Sequence, residues 1–336
     1  MYQRPDGLYE KKITVNGKRL PPFRGRSEQE VYRKILEYRG KVERGRLFST
    51  IADEWKEYHF KGLSYNSTKN YSPAHKRAVA EFGEIPIKQI KAQDINKFLY
   101  SFAKQGYAQK TVSTQLLIIN LILTYAVICD DIEYNPATSV RIPKNLSKTK
   151  RDIPSEEDIE AVKNSLSCTF GLFAYFLLYT GCRRGEALAL QYKDINVENK
   201  TIKICKSVYQ ENNNPKIKKP KTKAGMREII LLDKLLKVLK IGKPNDYIFH
   251  NYNNELITET QFQRQWELYQ KETGLKITPH QLRHAYATIL FEAGINEKDA
   301  QELLGHSSIT LTRDIYTHIS KSRKEKTREI LNKANI

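Results

Sequence analysis

Seven residues near the middle of the chain read Thr180-Gly181-Cys182-Arg183-Arg184-Gly185-Glu186. They follow the apolar run 170–179, which predicts a buried helix. Gly181 is expected to end that helix, because glycine adopts the left-handed conformation of a helix terminus without steric cost. Arg183 would then stand at the start of the next helix, where its guanidinium can hold a phosphate by two hydrogen bonds and Glu186 can brace it. An arginine that merely caps a surface helix would look the same in this stretch alone.

A basic segment further along, Pro220–Gly225, reads as the turn of a β-hairpin between strands predicted over 215–219 and 227–231. It contains two lysines, Lys221 and Lys223. A lysine on such a tip can donate a proton to a leaving oxygen, or it can hold a phosphate by charge alone. The segment by itself leaves both roles and both lysines open.

A third cluster begins where Thr278 and Pro279 provide the cap and first turn of a helix. His280 and Arg283 are three residues apart and therefore share a face of that helix. His284, four residues after His280, gives a spacing that zinc sites also use. The glutamate of the zinc protease pattern does not follow His280, and Arg283 would repel a cation, so we expect no metal here.

The last cluster joins His306, in a turn after a predicted helix, to Tyr316 ten residues later. The chain has 20 tyrosines, and most of them must serve packing. Its spacing from His306 is what distinguishes Tyr316 as a candidate nucleophile.

The charge of the whole chain points to a polyanionic partner. Lys and Arg number 57 against 38 Asp and Glu, which gives a formal charge of +19, and the sequence pI is about 9.5. Hydrophobic residues make up 40% of the chain, enough to build real cores and to exclude a disordered basic tail. Nucleic acid is the first candidate, because each phosphate that the protein neutralises releases condensed counterions. The four cysteines are scattered, as is usual in a reducing cytoplasm.

The N-terminal segment, 1–46, is predicted to be a small sheet followed by one helix. Residues 8–15 and 18–23 read as strands joined by the two-residue turn Asn16-Gly17. Ser27 and Glu30 then have the spacing of a capping box at the start of a helix over 28–43. The basic side chains of this segment could lie against DNA, although an inert basic appendage would have the same composition.

The rest of the chain divides into two further segments and a linker. Residues 47–143 carry apolar positions at helical spacing and are predicted to be all helical, with the helix over 111–129 at the centre. Residues 144–151 read as a basic linker. Residues 152–336 are predicted to mix helices with short strands, one of which covers 201–205. The predicted helices of this segment are 155–165, 170–179, 258–273, 278–292, 296–304, 310–317 and 322–332.

Together these clusters resemble the tyrosine recombinase, or phage integrase, family. Thr180-Gly181-x-Arg183-x-x-Glu186 is similar to the first arginine motif of that family, and His280-x-x-Arg283-His284 to its second. Leu304-Gly305-His306 and Tyr316 are similar to its third histidine and its nucleophile, and the family's placement favours Lys221 over Lys223. Order and spacing agree throughout.

The resemblance implies a reaction and a role for each residue. Tyr316 would attack a DNA phosphodiester and form a 3′-phosphotyrosyl intermediate, which needs neither ATP, a metal nor any other cofactor. Arg183 and Arg283 would neutralise the charge on the phosphate, and His306 would hydrogen-bond to it. His280 would take the tyrosine proton, and Lys221 would protonate the leaving 5′-oxygen.

The resemblance also implies a fold and partners. The fold would be α+β and mainly α: an arm-type DNA-binding domain over 1–46, a helical core-type DNA-binding domain over 47–143, and a mixed α/β catalytic domain over 152–336. Its partner would be double-stranded DNA at attachment sites, bound by a homotetramer in the cytoplasm of a bacterial host, at the nucleoid, with no membrane association. An excisionase and host DNA-bending proteins are further expected partners. The helix over 322–332 could dock on a neighbouring protomer or on its own domain.

Three alternatives remain open at this point. A type IB topoisomerase would use the same chemistry without exchanging partner strands. A DNA-binding regulator on a recombinase fold would lack catalysis altogether. A metal hydrolase would use His280, His284 and His306 as ligands.

Overall fold

The structure is a computed structural model that describes residues 1–15, 18–147, 153–220, 223–317 and 319. The chain divides into two compact units, Met1–Lys150 and Arg151–Ile336. The predicted turn Asn16-Gly17, Lys221 and the predicted helix over 322–332 lie outside the described residues.

The first unit begins with small antiparallel sheets and a helix. Strands β1 (Tyr2–Gln3), β2 (Tyr9–Lys11) and β5 (Phe23–Gly25) form one sheet in the order β1-β2-β5, and β3 (Thr14–Val15) pairs with β4 (Lys18–Arg19). The single strand expected over 8–15 is therefore two strands in different sheets. Helix α1 (Glu28–Arg44) packs its buried Val31 and Ile35 against Ile13.

The start of α1 has the predicted capping box. The Glu30 backbone N–H donates to Ser27 Oγ at 3.2 Å, and the Arg26 backbone N–H donates to Glu30 Oε2 at 2.8 Å. These contacts satisfy donors that the first turn of a helix leaves unpaired.

The remainder of this unit is helical, with α2 (Phe48–Phe60), α3 (Tyr65–Phe82), α4 (Ala92–Lys104) and α5 (Gln109–Ile128). Helix α5 packs against the other three and buries Ile118, Ile119 and Ile122 completely. Its length and hydropathy would also suit a membrane span, a property that the central helix of a bundle shares. The central position predicted for this helix is confirmed.

The helices of the second unit surround its core. They are α6 (Glu156–Asn164), α7 (Gly171–Thr180), α8 (Arg184–Leu188), α9 (Asp233–Leu236), α10 (Glu259–Thr273), α11 (Pro279–Glu292) and α12 (Glu297–Leu304). Residues 309–317 are also helical. The almost wholly buried α7 packs against α11, and this contact brings the end of α7 close to Arg283.

The strands of the second unit correct one prediction. Strands β6 (Ile195–Asn196), β7 (Thr201–Ile204) and β10 (Arg227–Ile230) form an antiparallel sheet in the order β10-β7-β6, while β8 (Ser207–Glu211) pairs with β9 (Asn214–Lys218). The hairpin turn is therefore at Asn212 and Asn213, both with positive φ, which asparagine tolerates in such turns. Pro220–Gly225 is not a hairpin turn but connects two different sheets.

Candidate active site

The turn between α7 and α8 positions Arg183. Gly181 ends α7 with a φ of +61°, and Arg183 is the N-cap of α8. The Arg183 backbone N–H donates to Glu186 Oε2 at 2.9 Å, and its Nη1 donates to Glu186 Oε1 at 2.7 Å. Its Nη2 donates to the Gly305 carbonyl at 3.0 Å. These hydrogen bonds hold the guanidinium in place. Because the side chain is still 46% exposed, the guanidinium also remains open to a ligand.

Arg283, on α11, is buried and joins two turns. Its Nη1 donates to the Gly181 carbonyl at 2.6 Å, and its Nη2 donates to the Leu304 carbonyl. Burial, followed by the positive charge of Arg183, lowers the pKa of Arg283 to about 9. At neutral pH the side chain is therefore still a cation, and a bound anion would stabilise it.

A third arginine, Arg227 at the start of β10, belongs to the same cluster. Its Nε donates to the Leu303 carbonyl at 2.8 Å, and its Nη2 donates to Glu186 Oε2 at 2.9 Å. Sequence reasoning did not separate Arg227 from the other basic residues beside Pro220–Gly225. An arginine inside an alternating strand pattern was the available signal, since charged residues are rarely buried without a partner.

Glu186 is the shared carboxylate of this cluster. Burial would raise the pKa of Glu186, yet the hydrogen bond and charge of Arg227, with the charge of Arg183, lower it below its ordinary value. The carboxylate is therefore ionised, and this group of four side chains combines three positive charges with one negative charge. Such an excess of guanidinium groups favours binding of an anion such as a phosphate.

His306 lies in the turn that follows α12 and is 8% exposed. Its Nδ1 is 2.9 Å from the hydroxyl oxygen of the buried Thr312. Burial, followed by the charges of Arg283 and Arg183, lowers the pKa of His306 to about 4. His306 is therefore neutral at neutral pH and can act as a hydrogen-bond donor or acceptor without carrying a charge. The sequence did not single out Thr312, because nothing in its spacing marks a partner for His306.

His280 and His284 share the first turns of α11 with Arg283. Their rings meet edge to face with centroids 4.6 Å apart, and His280 is exposed. His284 is one of the charges that lower the pKa of His306, which places it on the same side of the cluster. Among the described residues, His, Cys, Asp and Glu side chains form no group of three suited to hold a metal ion.

Tyr316 is buried in a small apolar cluster with Tyr286, Leu290 and Leu304. Its hydroxyl donates to the Ile295 carbonyl at 3.2 Å. Burial, with a contribution from nearby Glu297, raises the pKa of Tyr316 above its ordinary value. The phenol is therefore protonated and hydrogen-bonded to the backbone.

Lys221 lies outside the described residues, but the segment that follows it does not. A 3-10 turn covers Lys223–Gly225, and the Ala224 carbonyl oxygen is 2.9 Å from the position that a Cβ would occupy on Gly305. Gly305 has a φ of +65° and also accepts the hydrogen bond from Arg183. The described end of the connection after Lys221, residues 223–225, therefore lies next to the arginine cluster.

Two arginines that meet at one turn, a neutral histidine beside them and a tyrosine in the next helix form an arrangement suited to a protein that acts on phosphodiester bonds. Comparison with known proteins then gives the family. Residues 155–323 match the sequence model of the phage integrase family, and residues 48–142 match that of the phage integrase central domain. The chain belongs to the phage integrase family of tyrosine recombinases, and the resemblance noted in the sequence is confirmed.

Individual relatives agree with this assignment. The chain is 30% identical over 288 residues to a tyrosine recombinase XerC-like protein of Caldanaerobacter subterraneus subsp. tengcongensis, covering 75% of this chain and 73% of the relative. It is 26% identical over 322 residues to the ICEBs1 integrase of Bacillus subtilis strain 168, covering 89% and 86%. The chain is thus a DNA recombinase of the site-specific kind.

Solved structures show the same fold. The Tn1549 transposon integrase in complex with a circular intermediate DNA superposes with a TM-score of 0.70 at 22% identity, covering 84% of this chain and 99% of that one. The lambda integrase tetramer bound to a Holliday junction gives 0.64 at 18% identity, covering 94% and 93%. The mainly helical α+β fold expected from the sequence is confirmed.

Proposed function

We propose that this recombinase integrates and excises a mobile genetic element by cutting and rejoining DNA through a 3′-phosphotyrosyl intermediate. The observation that carries the proposal is the meeting of Arg183 and Arg283 at the turn 303–306, with His306 in that turn and Tyr316 in the helix after it. The chain segments concerned are far apart in sequence, and packing alone does not require two guanidinium groups at one turn.

In the proposed reaction the Tyr316 hydroxyl oxygen bonds to the phosphorus, and the bond from phosphorus to the 5′-oxygen breaks. The phenol proton goes to His280, and Lys221 gives a proton to the departing 5′-oxygen. The 5′-hydroxyl of a partner strand later attacks the phosphotyrosine and releases Tyr316. The energy of the broken bond is kept in the covalent intermediate, so the exchange itself consumes no ATP.

The roles of the remaining residues follow from their surroundings. Arg183 and Arg283 would neutralise charge that grows on the non-bridging oxygens in the transition state. If Nδ1 of His306 accepts the Thr312 hydroxyl, its Nε2–H is left to donate to the phosphate. DNA binding would have to move the Tyr316 hydroxyl away from the Ile295 carbonyl. Release of the nucleophile would therefore be a separate step that precedes strand cleavage.

The proposed assembly follows the relatives. Double-stranded DNA at attachment sites would be bound by a homotetramer, as the lambda integrase is seen bound to a Holliday junction as a tetramer. We assign arm-type binding to 1–46, core-type binding to 47–143, a linker to 144–151 and catalysis to 152–336. An excisionase, host DNA-bending proteins and a place at the nucleoid in the bacterial cytoplasm complete the proposal.

A suicide substrate tests this proposal. A nicked duplex is made from the boundary sequences of the element that carries the gene, so that the cleaved end is lost and the covalent complex accumulates. Wild-type protein should give a covalent band on a denaturing gel in EDTA, and Tyr316→Phe should give none, because phenylalanine has no nucleophilic oxygen. Tyr286→Phe, a tyrosine of the same buried cluster, is the matched control and should keep the band.

Each alternative predicts another result. A band that persists in Tyr316→Phe would show that the nucleophile is another residue. Tight binding without any band would favour a non-catalytic regulator, and relaxation of any plasmid without joining of two sites would favour a topoisomerase. Loss of cleavage in EDTA would favour a metal hydrolase.

A further inference from the structure

Arg227 is almost completely enclosed, with a side chain that is 5% exposed. It lies at the first position of β10, paired in register with Ile204 of β7, and points its guanidinium at the arginine cluster. Its Nε is fixed by the Leu303 carbonyl and its Nη2 by Glu186. One side chain thus connects the β10-β7-β6 sheet to the last turn of α12 and to helix α8, which Arg183 caps.

The two carboxylate oxygens of Glu186 accept hydrogen bonds from different partners, and Arg227 is one of the two partners of Oε2. Oε2 accepts Arg227 Nη2 and the Arg183 backbone N–H, while Oε1 accepts Arg183 Nη1 at 2.7 Å. With Arg227 in place the carboxylate cannot rotate without breaking a charged hydrogen bond, which is among the stronger contacts in proteins. The orientation of the Arg183 guanidinium therefore depends on a residue that it does not touch.

The third nitrogen of Arg227, Nη1, makes no hydrogen bond of its own to any described residue. Within the described residues Nη1 is buried without a hydrogen-bond partner, and it lies 2.8 Å from the position that a Cβ would take on Gly305. A buried donor that makes no hydrogen bond is unfavourable and needs an explanation beyond packing. An arginine placed here adds positive charge beside Arg183 and Arg283, where an incoming phosphate benefits from it.

We infer that Arg227 is a positioning residue for phosphate capture, acting through Glu186 to hold the Arg183 guanidinium in the orientation that receives the scissile phosphate. The inference rests on the proposed function above. In this inference Arg227 acts through Glu186, because its Nε and Nη2 are already held by the Leu303 carbonyl and by the Glu186 carboxylate.

The test compares two DNA substrates in single-turnover cleavage by the full chain. One has the normal scissile phosphodiester, and the other has an uncharged methylphosphonate at the same position, which offers Arg183 less charge to neutralise. Arg227→Lys keeps the charge but loses the planar fork that joins the two partners, and Arg227→Gln removes both charge and fork. Both variants should lower the cleavage rate on the normal substrate, Arg227→Gln by about a hundredfold, as small misplacements of catalytic groups do. On the methylphosphonate substrate the cleavage rate of either variant should be less than about threefold below that of wild type, because this substrate lacks the phosphate charge that Arg183 would bind.

Arg184→Lys is the matched control. Arg184 is the neighbour of Arg183, donates two hydrogen bonds to Glu259 and lies over the ring of Phe262. Its substitution therefore measures the effect of replacing an arginine whose contacts are structural. It should change cleavage of both substrates by the same small factor. Equal losses on both substrates for the Arg227 variants, or no loss at all, would overturn the inference while leaving the proposed function intact. If wild-type protein forms no covalent adduct on either substrate, the proposed function itself fails.

Discussion

At the scale of single residues, the hydroxyl of Thr312 determines how His306 can be used. It lies 2.9 Å from His306 Nδ1 and is fully buried, so no solvent can replace it. Thr312→Val keeps the shape and removes this partner, leaving a buried ring nitrogen unpaired. We expect the free energy of unfolding to fall by about 1–3 kcal/mol. The cleavage rate should fall on the order of tenfold, less than the loss of a whole proton-transfer or oxyanion group.

Urea unfolding and single-turnover cleavage check this expectation on the same samples. Thr310→Val, an exposed threonine in the same helical segment, is the control and should leave both quantities close to wild type. An unchanged cleavage rate in Thr312→Val would mean that the tautomer of His306 does not matter for the reaction.

Candidate site residues that belong to motifs of fixed spacing could be proposed from the sequence. Residues that join the site only through tertiary contacts could not. Arg183, Arg283 and His306 were proposed from the sequence because the order and spacing of their motifs resemble those of a known family. Arg227 and Thr312 became visible only when the chain was folded, since their partners are 41 and 6 residues away and neither pair follows a helical or strand period. The position of the Tyr316 hydroxyl at Ile295 was equally inaccessible, because it depends on the packing of three helical segments.

At the scale of secondary structure elements, the turn 303–306 is the point where separate parts of the cluster meet. Gly305 has positive φ, and a Cβ there would come within 2.9 Å of the Ala224 carbonyl and 2.8 Å of Arg227 Nη1. Gly305→Ala should therefore push the 3-10 turn Lys223–Gly225, which follows Lys221 in the sequence, away from α12. We expect the cleavage rate to fall at least about tenfold, because a displaced proton donor loses reach.

Gly274→Ala separates this effect from backbone strain. Gly274 ends α10 with a φ of +73°, and a Cβ there would meet nothing within 4 Å. Both variants should lose about 1–2 kcal/mol of stability through the left-handed conformation, as thermal unfolding would measure. If Gly274→Ala loses as much activity as Gly305→Ala, strain and not the contact with Ala224 is responsible.

Helices were more predictable than strands at this scale. Helix boundaries such as those of α10 and α11 followed from capping residues and apolar spacing, which act locally. The hairpin was misplaced because the basic segment Pro220–Gly225 looked like a turn, whereas Asn212 and Asn213 form the actual one. Strand pairing is decided by contacts between distant segments, and in this unit β10 pairs with β7 across more than twenty residues.

At the scale of the whole molecule, the hydrophobic pattern indicated which segments are helical and which are mixed, and the family resemblance supplied the fold class. The two apolar cores of the units, one around α5 and one around α7, correspond to the segments that read as helical or mixed in sequence. The boundary between units, after Lys150, falls in the basic stretch predicted as a linker. The separation of 1–46 from 47–143 as independent domains stays a prediction, because both belong to one compact unit.

The formal charge of +19 leads to a prediction for the whole molecule. Binding to DNA should release one condensed counterion for nearly every phosphate that a lysine or arginine neutralises, so affinity should depend steeply on salt. For roughly six to ten phosphate contacts, the dissociation constant should rise about a thousandfold or more between about 50 and 200 mM NaCl. Fluorescence anisotropy with an attachment-site duplex and with an unrelated duplex of equal length would measure both slopes. The slopes should be similar, because phosphate contacts do not read sequence, while the affinities differ. An affinity for the attachment-site duplex that hardly changes with salt would mean that the excess charge is not used to hold DNA.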